Sequence, residues 1–211
     1  MSDAKFVVFD GMDGSGKGTQ IEMLRKKLRD RPVVFTREPG GPPLAEEIRK
    51  MLLDLAGQST PLFHFLLFWA AREESMQKLV MPALQAGKHV FSDRGDSSTY
   101  AFQLYGEDHL GLFGAFALLR KLAFAEHNGR RQPDLYIVFD LPAEKARERA
   151  LRDAVRTKTH FDERDVSYYE RVRKGFHRLA GYLPTALIDA SQSPEDVHRS
   201  VITELVRAKI I

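Results

Sequence analysis

A glycine-rich segment at residues 11–19, GMDGSGKGT, constrains the fold more than any other feature of the chain. It directly follows an apolar run at 6–10 and directly precedes a segment with helical spacing at 19–28. The pattern G-x-x-x-x-G-K between a strand and a helix is typical of a loop whose backbone N–H groups surround a phosphate, while the lysine, here Lys17, adds positive charge. The segment therefore predicts an α/β fold with a nucleotide-binding P-loop.

The rest of the chain alternates between strand and helix patterns. Short apolar runs predict five buried strands, at 6–10, 33–36, 89–92, 135–140 and 186–189. Segments with helical spacing lie at 19–28, 44–55, 63–86, 98–127, 143–152 and 167–179. A final amphipathic helix is expected after Ser193, the predicted N-cap, with Pro194 at its first position. This order predicts a five-stranded parallel sheet with helices on both faces.

Length and composition exclude several classes of protein. At 211 residues the chain is too short for two average domains and a linker, so residues 1–211 are predicted to form a single domain. It has no cysteine, which excludes disulfides and thiolate sites. The net charge of +3 gives little reason to expect a nucleic-acid partner. No secretion signal or membrane-length apolar run is present, so we expect a cytoplasmic protein without a membrane partner.

The P-loop departs from the general pattern at one position. Gly18 follows the lysine where a Ser or Thr usually supplies a magnesium ligand, and Thr19 is displaced by one. Nucleotide kinases of the adenylate kinase kind are similar here, since they also carry GKGTQ. Magnesium would then depend more on carboxylates and water, for which Asp13 and Asp93 are the candidates. The residues of the loop predicted to bind ATP are Gly11, Asp13, Gly14, Ser15, Gly16, Lys17, Gly18 and Thr19.

Three later segments indicate the acceptor of the phosphoryl group. Residues 34–41 read VFTREPGG, residues 67–72 read LFWAAR, and residues 93–103 read DRGDSSTYAFQ. In this order they resemble the signatures of thymidylate kinases, and the resemblance covers nearly the whole chain. It implies a P-loop nucleoside monophosphate kinase with a mobile lid, which uses Mg²⁺ and ATP to phosphorylate dTMP to dTDP. Relatives are typically homodimers through helices near 63–86 and 98–127, so a homodimer is expected.

The predicted dTMP site combines charge and aromatic surface. Arg37 and Arg94 follow the second and third strands, where open α/β sheets bind ligands, and their planar guanidinium groups suit a monophosphate. By resemblance, Phe68 stacks on thymine, although a core position is its alternative. Arg72, one helical turn later, donates to a ring carbonyl oxygen. The complete predicted set is Arg37, Glu38, Phe68, Arg72, Arg94, Ser98, Thr99, Phe102 and Gln103, and the same resemblance implies that Phe102 packs on the sugar.

In the family that the chain resembles, positive charge for the transfer comes either from an arginine in the P-loop or from arginines in a lid. The loop has no arginine between Gly11 and Lys17, so the resemblance implies a lid. The resemblance places this lid at about residues 147–164, with Arg149 as the first candidate, followed by Arg152 and Arg156. Relatives commonly show Asp-Arg-x-Glu where residues 159–162 read THFD. Candidates to replace the missing arginine are Arg156, Lys158, His160 and Arg164. The predicted catalytic residues are Lys17, Arg94, Arg149 and Asp13.

Two other functions stay open at this stage. GKGTQ is shared with kinases that act on AMP, CMP or UMP, so another nucleoside monophosphate kinase is the nearest alternative. The second is a degenerate nucleotide-binding switch, because the lid is unusual and Gly95 follows Asp93 and Arg94 where the family usually has an aromatic residue or histidine.

Overall fold

The computed structural model describes residues 3–55, 59–124, 132–152 and 164–211. Five strands form one sheet in the order β2-β3-β1-β4-β5, and all neighbouring strands are parallel. The strands are β1 (Phe6–Gly11), β2 (Val33–Arg37), β3 (His89–Asp93), β4 (Leu135–Asp140) and β5 (Thr185–Asp189). The predicted five-stranded parallel sheet is therefore confirmed. Because the strands are parallel, the chain leaves all of them at one edge, where open α/β sheets bind ligands.

The described helices are α1 (Lys17–Lys27), α2 (Pro43–Asp54), α3 (Pro61–Ser75), α4 (Met81–Gln85), α5 (Asp96–Ser98), α6 (Phe113–Ala123), α7 (Ala143–Arg152), α8 (Val166–Ala180) and α9 (Pro194–Arg207). Wider, π-helical turns at Met76–Val80 and Thr99–Gly106 continue α3 and α5. The predicted cap of the last helix is confirmed, because the Ser193 hydroxyl accepts from the Asp196 backbone N–H at 3.2 Å. No helix in these described ranges is long and apolar enough to span a bilayer.

The prediction of one helical segment at 98–127 is wrong. The helical turns end at Gly106, and a short 3₁₀ turn at Leu110–Leu112 precedes α6. A Cβ on Gly106 would lie 2.7 Å from Val172 Cγ2 on α8, so α8 is in close contact with the end of this helix. Asp108 then adopts a φ of 59°, a left-handed conformation that Asp tolerates better than most residues and that ends a helix.

The core consists of two layers, one on each face of the sheet. In β1, Val7 and Phe9 face a cluster that includes residues of α1, α8 and α9, while Phe6 and Val8 face a second cluster with residues of α3 and α6. This alternation is the period of two that every strand imposes on its side chains. Both faces of the sheet are therefore covered by helices, as predicted.

Candidate active site

The glycine loop lies at the edge of the sheet, beneath α7. Gly14 has a φ of 79°, and a Cβ there would lie 2.3 Å from the Ala146 carbonyl oxygen, so only glycine fits. Lys17 begins α1, and its ammonium group forms an ion pair with Asp93 at the end of β3. Burial lowers the pKa of Lys17, as does the nearby charge of Arg94, while Asp93 opposes both effects. The structure thus holds the P-loop lysine in a partly desolvated position, next to the loop after β3.

Arg94 donates four hydrogen bonds, of which those to Gly11 and Asp13 join the loop after β3 to the P-loop. Its Nη2 donates to Asp13 Oδ1 at 2.7 Å, and its Nη1 donates at 3.1 Å to Asp10 Oδ1, to the Gly11 carbonyl and to Ser98 Oγ. Asp10 is completely buried, which raises its pKa, while the charge of Arg94 opposes the shift. The guanidinium group therefore lies against the glycine loop.

The environment of Arg94 keeps it charged. Burial acts to lower the pKa of Arg94, but the carboxylates of Asp13, Asp10 and Asp93 outweigh it, and the pKa is raised overall. On another side, its guanidinium carbon is 4.9 Å from the centroid of the Phe102 ring. Phe102, predicted to pack on the sugar, is half-buried and lies beside this cation.

Arg72 is the largest fully buried side chain of the described residues, and it is only partly satisfied. Its Nε donates to Glu38 Oε2 at 2.7 Å, and its Nη2 donates to Thr99 Oγ1 at 3.1 Å. The Trp69 ring centroid is 4.4 Å from its guanidinium carbon. Its Nη1 is buried and has no hydrogen-bond partner within the described ranges. Burial raises the pKa of Glu38, and the charge of Arg72 opposes this shift.

Other predicted acceptor residues occupy different environments. Phe68 is half-buried, so it is not a fully buried core residue. Gln103 is buried, and its Oε1 lacks a partner among the residues that the structure describes. Arg37 is exposed and donates from Nη2 to Glu46 Oε2 at 2.8 Å. It lines a cleft of about 550 Å³ whose other walls include Gly18 of the P-loop helix and Asp93. Arg37 and the first turn of the P-loop helix thus line the same cleft.

The lid candidates are described only in part. Arg149 lies on α7 and donates from Nη1 to the Ala190 carbonyl at 3.1 Å, close to the P-loop because its Cβ is 3.0 Å from the position of a Cβ on Gly14. Arg152 is exposed and pairs with Glu148 of its own helix at 2.7 Å. The guanidinium carbon of Arg164 is 5.2 Å from the centroid of the Tyr168 ring. The other candidates, Arg156, Lys158 and His160, lie outside the described residues.

A buried polar cluster that was not predicted from the sequence supports the loop after Arg94. Asp96 is completely buried, and it accepts from Arg120 Nε at 2.8 Å and from the Tyr136 hydroxyl at 2.8 Å. These partners come from α6 and β4, so two distant segments hold the start of α5. The signal that could have indicated this cluster is Arg120 itself, a charged residue within the apolar sequence FGAFALLRKLA. The contacts of Glu46, which no local motif marks, were also missed, as was the contact of Trp69 with Arg72, although both lie in the segment at 67–72.

Gly95, which departs from the family pattern, has a structural explanation. Its backbone is extended, with a φ of −163°. A Cβ at this position would lie 2.9 Å from Cγ1 of Val8. Val8 is a buried residue of β1. Val8 therefore occupies the space that a side chain at residue 95 would need.

The donors for a metal ion are limited. Among the described residues, no group of three or more His, Asp or Glu side chains could hold a cation. Asp93 is paired with Lys17, and Asp13 is paired with Arg94. One or two carboxylates at this edge suit Mg²⁺ that keeps most of its waters and arrives on nucleotide phosphates. The residues thus fit a metal carried by the substrate.

The sheet order, the buried lysine and the glycine loop at the C-terminal edge place the molecule among the P-loop nucleotide-binding proteins. Comparison with known proteins narrows this class. The family model "Thymidylate kinase" matches residues 9–201, and the chain belongs to that family.

Individual members of the family are similar to this chain over nearly their full length. The thymidylate kinase of Chlorobaculum tepidum is 36% identical, over 94% of this chain and 95% of the relative. That of Desulfovibrio desulfuricans is 41% identical, over 91% of this chain and 90% of the relative. A crystal structure of thymidylate kinase from Ehrlichia chaffeensis superimposes with a TM-score of 0.75 at 30% identity, covering 96% of this chain and 98% of that one. The predicted family is thus confirmed.

Proposed function

We propose that the protein transfers the terminal phosphoryl group of ATP to dTMP and releases dTDP and ADP. Family membership supports the reaction, and one structural observation supports the choice of base: Arg72 Nη1 is a buried donor without a protein partner. A buried unsatisfied donor costs about 1–3 kcal/mol, which a ligand oxygen would recover. Thymine presents a carbonyl oxygen at the position where cytosine presents an amine, so a fixed donor favours thymine.

The side chains near this donor suit a pyrimidine nucleotide. Glu38 and Thr99 fix two corners of the Arg72 guanidinium group, which leaves its orientation little freedom. Half-buried Phe68, one helical turn before Arg72, is the proposed surface on which thymine stacks. Phe102, beside Arg94, is proposed to pack against the sugar and to disfavour a 2′-hydroxyl. Gln103 is the proposed polar partner of the base or sugar, since its buried oxygen is unsatisfied by the described residues.

Phosphoryl transfer requires positioning and positive charge more than covalent help from the protein. Lys17 is proposed to exchange part of its contact with Asp93 for the β and γ phosphates of ATP. Arg94 and Arg37 are proposed to orient the acceptor phosphate for in-line attack. Bound Mg²⁺ would neutralise charge on the phosphate oxygens, with Asp93 and Asp13 as its proposed protein partners.

The remaining assignments also stay proposals. The proposed phosphate cradle of ATP is the loop itself, with Gly11, Gly14, Ser15, Gly16, Gly18 and Thr19 around Lys17. Arg149 and Arg152 are proposed to approach the ATP phosphates as parts of a lid at about 147–164. The single domain, the homodimer and the cytoplasmic location likewise remain predictions.

An acceptor panel tests the proposal. Purified protein is supplied with Mg·ATP and, separately, with dTMP, UMP, CMP and AMP, and ADP release is followed by a coupled assay. We expect dTMP to give the highest kcat/KM. Clear preference for AMP or CMP would overturn the acceptor assignment, and ADP release that ignores the acceptor would favour a nucleotide switch.

A further inference from the structure

Glu46, in the first turn of α2, holds two parts of the loop that follows β2. Its Oε2 accepts from Arg37 Nη2 at 2.8 Å, and its Oε1 accepts from the Gly41 backbone N–H at 2.7 Å. The carboxylate lies so close to the loop that a Cβ on Gly40 would be 2.6 Å from Oε1. Glu46 thus spans the loop between the arginine side chain and the backbone of its last glycine.

A second contact ties the same helix to the same loop. Arg49, less than one turn further along α2, donates from Nη1 to the Pro39 carbonyl at 3.0 Å. The loop is therefore attached to α2 at three points: the Arg37 side chain, the Pro39 carbonyl and the Gly41 N–H. Of these, only the contact of Glu46 with Arg37 restrains a side chain that lines the cleft beside the P-loop.

Arg37 benefits from such a restraint because little else in the described ranges holds it. Its side chain is 53% exposed, and its Nε and Nη1 have no hydrogen-bond partner there. An unrestrained arginine loses much rotamer freedom when it binds a ligand, and a partner that fixes it beforehand reduces that loss. Glu46 uses one donor of the guanidinium group, which leaves the other donors for a phosphate. The Gly41 N–H and then Arg37 lower the pKa of Glu46, so it is ionised at neutral pH.

We propose that Glu46 is a positioning residue for the reaction, which orients Arg37 for the phosphate of the acceptor nucleotide. This inference rests on the proposed function for the identity of the acceptor, but not for its phosphate. Glu46 itself does not touch the substrate and acts through Arg37. A purely structural role, in which Glu46 only stabilises the loop through Gly41, is the alternative that the experiment must separate.

A double-mutant cycle with Arg37 makes this separation. Binding of dTMP to the full-length chain is measured by calorimetry for the wild type, Glu46→Ala, Arg37→Met and the double variant. Glu47→Ala is the matched control, because Glu47 lies next in α2 and its one ion pair within the described part of the chain is with exposed Lys50, at 2.6 Å. Steady-state KM values for ATP and dTMP are determined in parallel.

If Glu46 acts through Arg37, Glu46→Ala weakens dTMP binding by up to about tenfold, the effect expected when one side chain is no longer fixed before the ligand binds. The same change in the Arg37→Met background has less than a twofold effect, and the KM for ATP stays unchanged. Glu47→Ala behaves as the wild type. The inference is overturned if Glu46→Ala binds dTMP as the wild type does, or if its loss is equally large in both backgrounds.

The experiments distinguish a failure of the proposed function from a failure of the inference about Glu46. If the wild type prefers another nucleoside monophosphate, the acceptor assignment fails, and the cycle is run with that monophosphate, because Glu46 and Arg37 address the phosphate rather than the base. If the wild type binds no monophosphate at all, both proposals are refuted.

Discussion

Replacing Arg72 by methionine leaves the Glu38 carboxylate buried without its cation. The two side chains are 2% and 5% exposed, and they are joined at 2.7 Å. Removing one partner of a buried ion pair costs about 3–5 kcal/mol, because the other charge stays desolvated. The lost contact with the Trp69 ring adds about 0.5–2 kcal/mol, and protonation of Glu38 offsets part of the total. We expect a net loss of about 3–5 kcal/mol, or roughly 6–20 °C in Tm for a chain of this length.

The loss should depend on pH in a defined direction. Burial raises the pKa of Glu38 above its ordinary value of 4.5, and Arg72 opposes this shift. A carboxyl group whose pKa is higher in the folded state binds more protons there, so its contribution to stability falls as pH rises above the unfolded value. Without Arg72 the pKa of Glu38 rises further, so this decline continues to a higher pH. Arg72→Met should therefore lose more stability at pH 8 than at pH 5.

Urea denaturation at both pH values measures these free energies of unfolding. Glu38→Gln in the Arg72→Met background removes the unpaired charge and should restore part of the stability. Arg25→Met is the matched control, because Arg25 also lies over an aromatic ring, that of Phe35 at 4.6 Å, but on the surface. The reasoning is refuted if Arg72→Met costs less than about 1 kcal/mol, or if Glu38→Gln gives no recovery.

Three further changes have defined outcomes. Lys17→Met should lower kcat at least about 100-fold with an unchanged circular dichroism spectrum, since a cation that stabilises transferred charge is removed; a normal kcat contradicts the mechanism. Gly95→Ala should cost about 1–3 kcal/mol in urea denaturation, because its Cβ would lie 2.9 Å from Val8; a smaller penalty in a Val8→Ala background supports this cause, and an equal one rejects it. Chelation with EDTA should stop ADP formation and added Mg²⁺ should restore it; turnover that persists in EDTA argues against magnesium.

The fold followed from local patterns wherever one physical cause dominates. Short apolar runs between helical segments predicted every strand of the sheet. Burial on both faces explains the continuous apolar residues of β1, β3 and β4, whereas β2 and β5, at the edges of the sheet, are only partly buried. The glycine loop was equally clear, because few sequences can surround a phosphate with backbone N–H groups. The segment at 98–127 was predicted wrongly, since its apolar spacing suits a helix throughout. The break after Gly106 depends on α8, which lies some 60 residues later in the chain.

In the candidate site, too, some residues could be predicted from the sequence and others could not. Lys17, Arg37, Arg72 and Arg94 could be named from motifs, because their residue types are tied to phosphate and base recognition. Their partners could not be named. Asp96 finds Arg120 and Tyr136, and Arg37 finds Glu46, through contacts between elements that no local pattern connects.

What the sequence by itself determined is the set of elements and the chemistry at their ends: a parallel sheet, a phosphate loop, and cations after the second and third strands. These follow from periodicity and residue type, which are local properties. Only the tertiary structure decided how each cation is held, with Arg94 bound to Asp10 and Asp13 and with one donor of buried Arg72 left unsatisfied. The reason is that hydrogen bonding and desolvation depend on which distant side chains share a buried space.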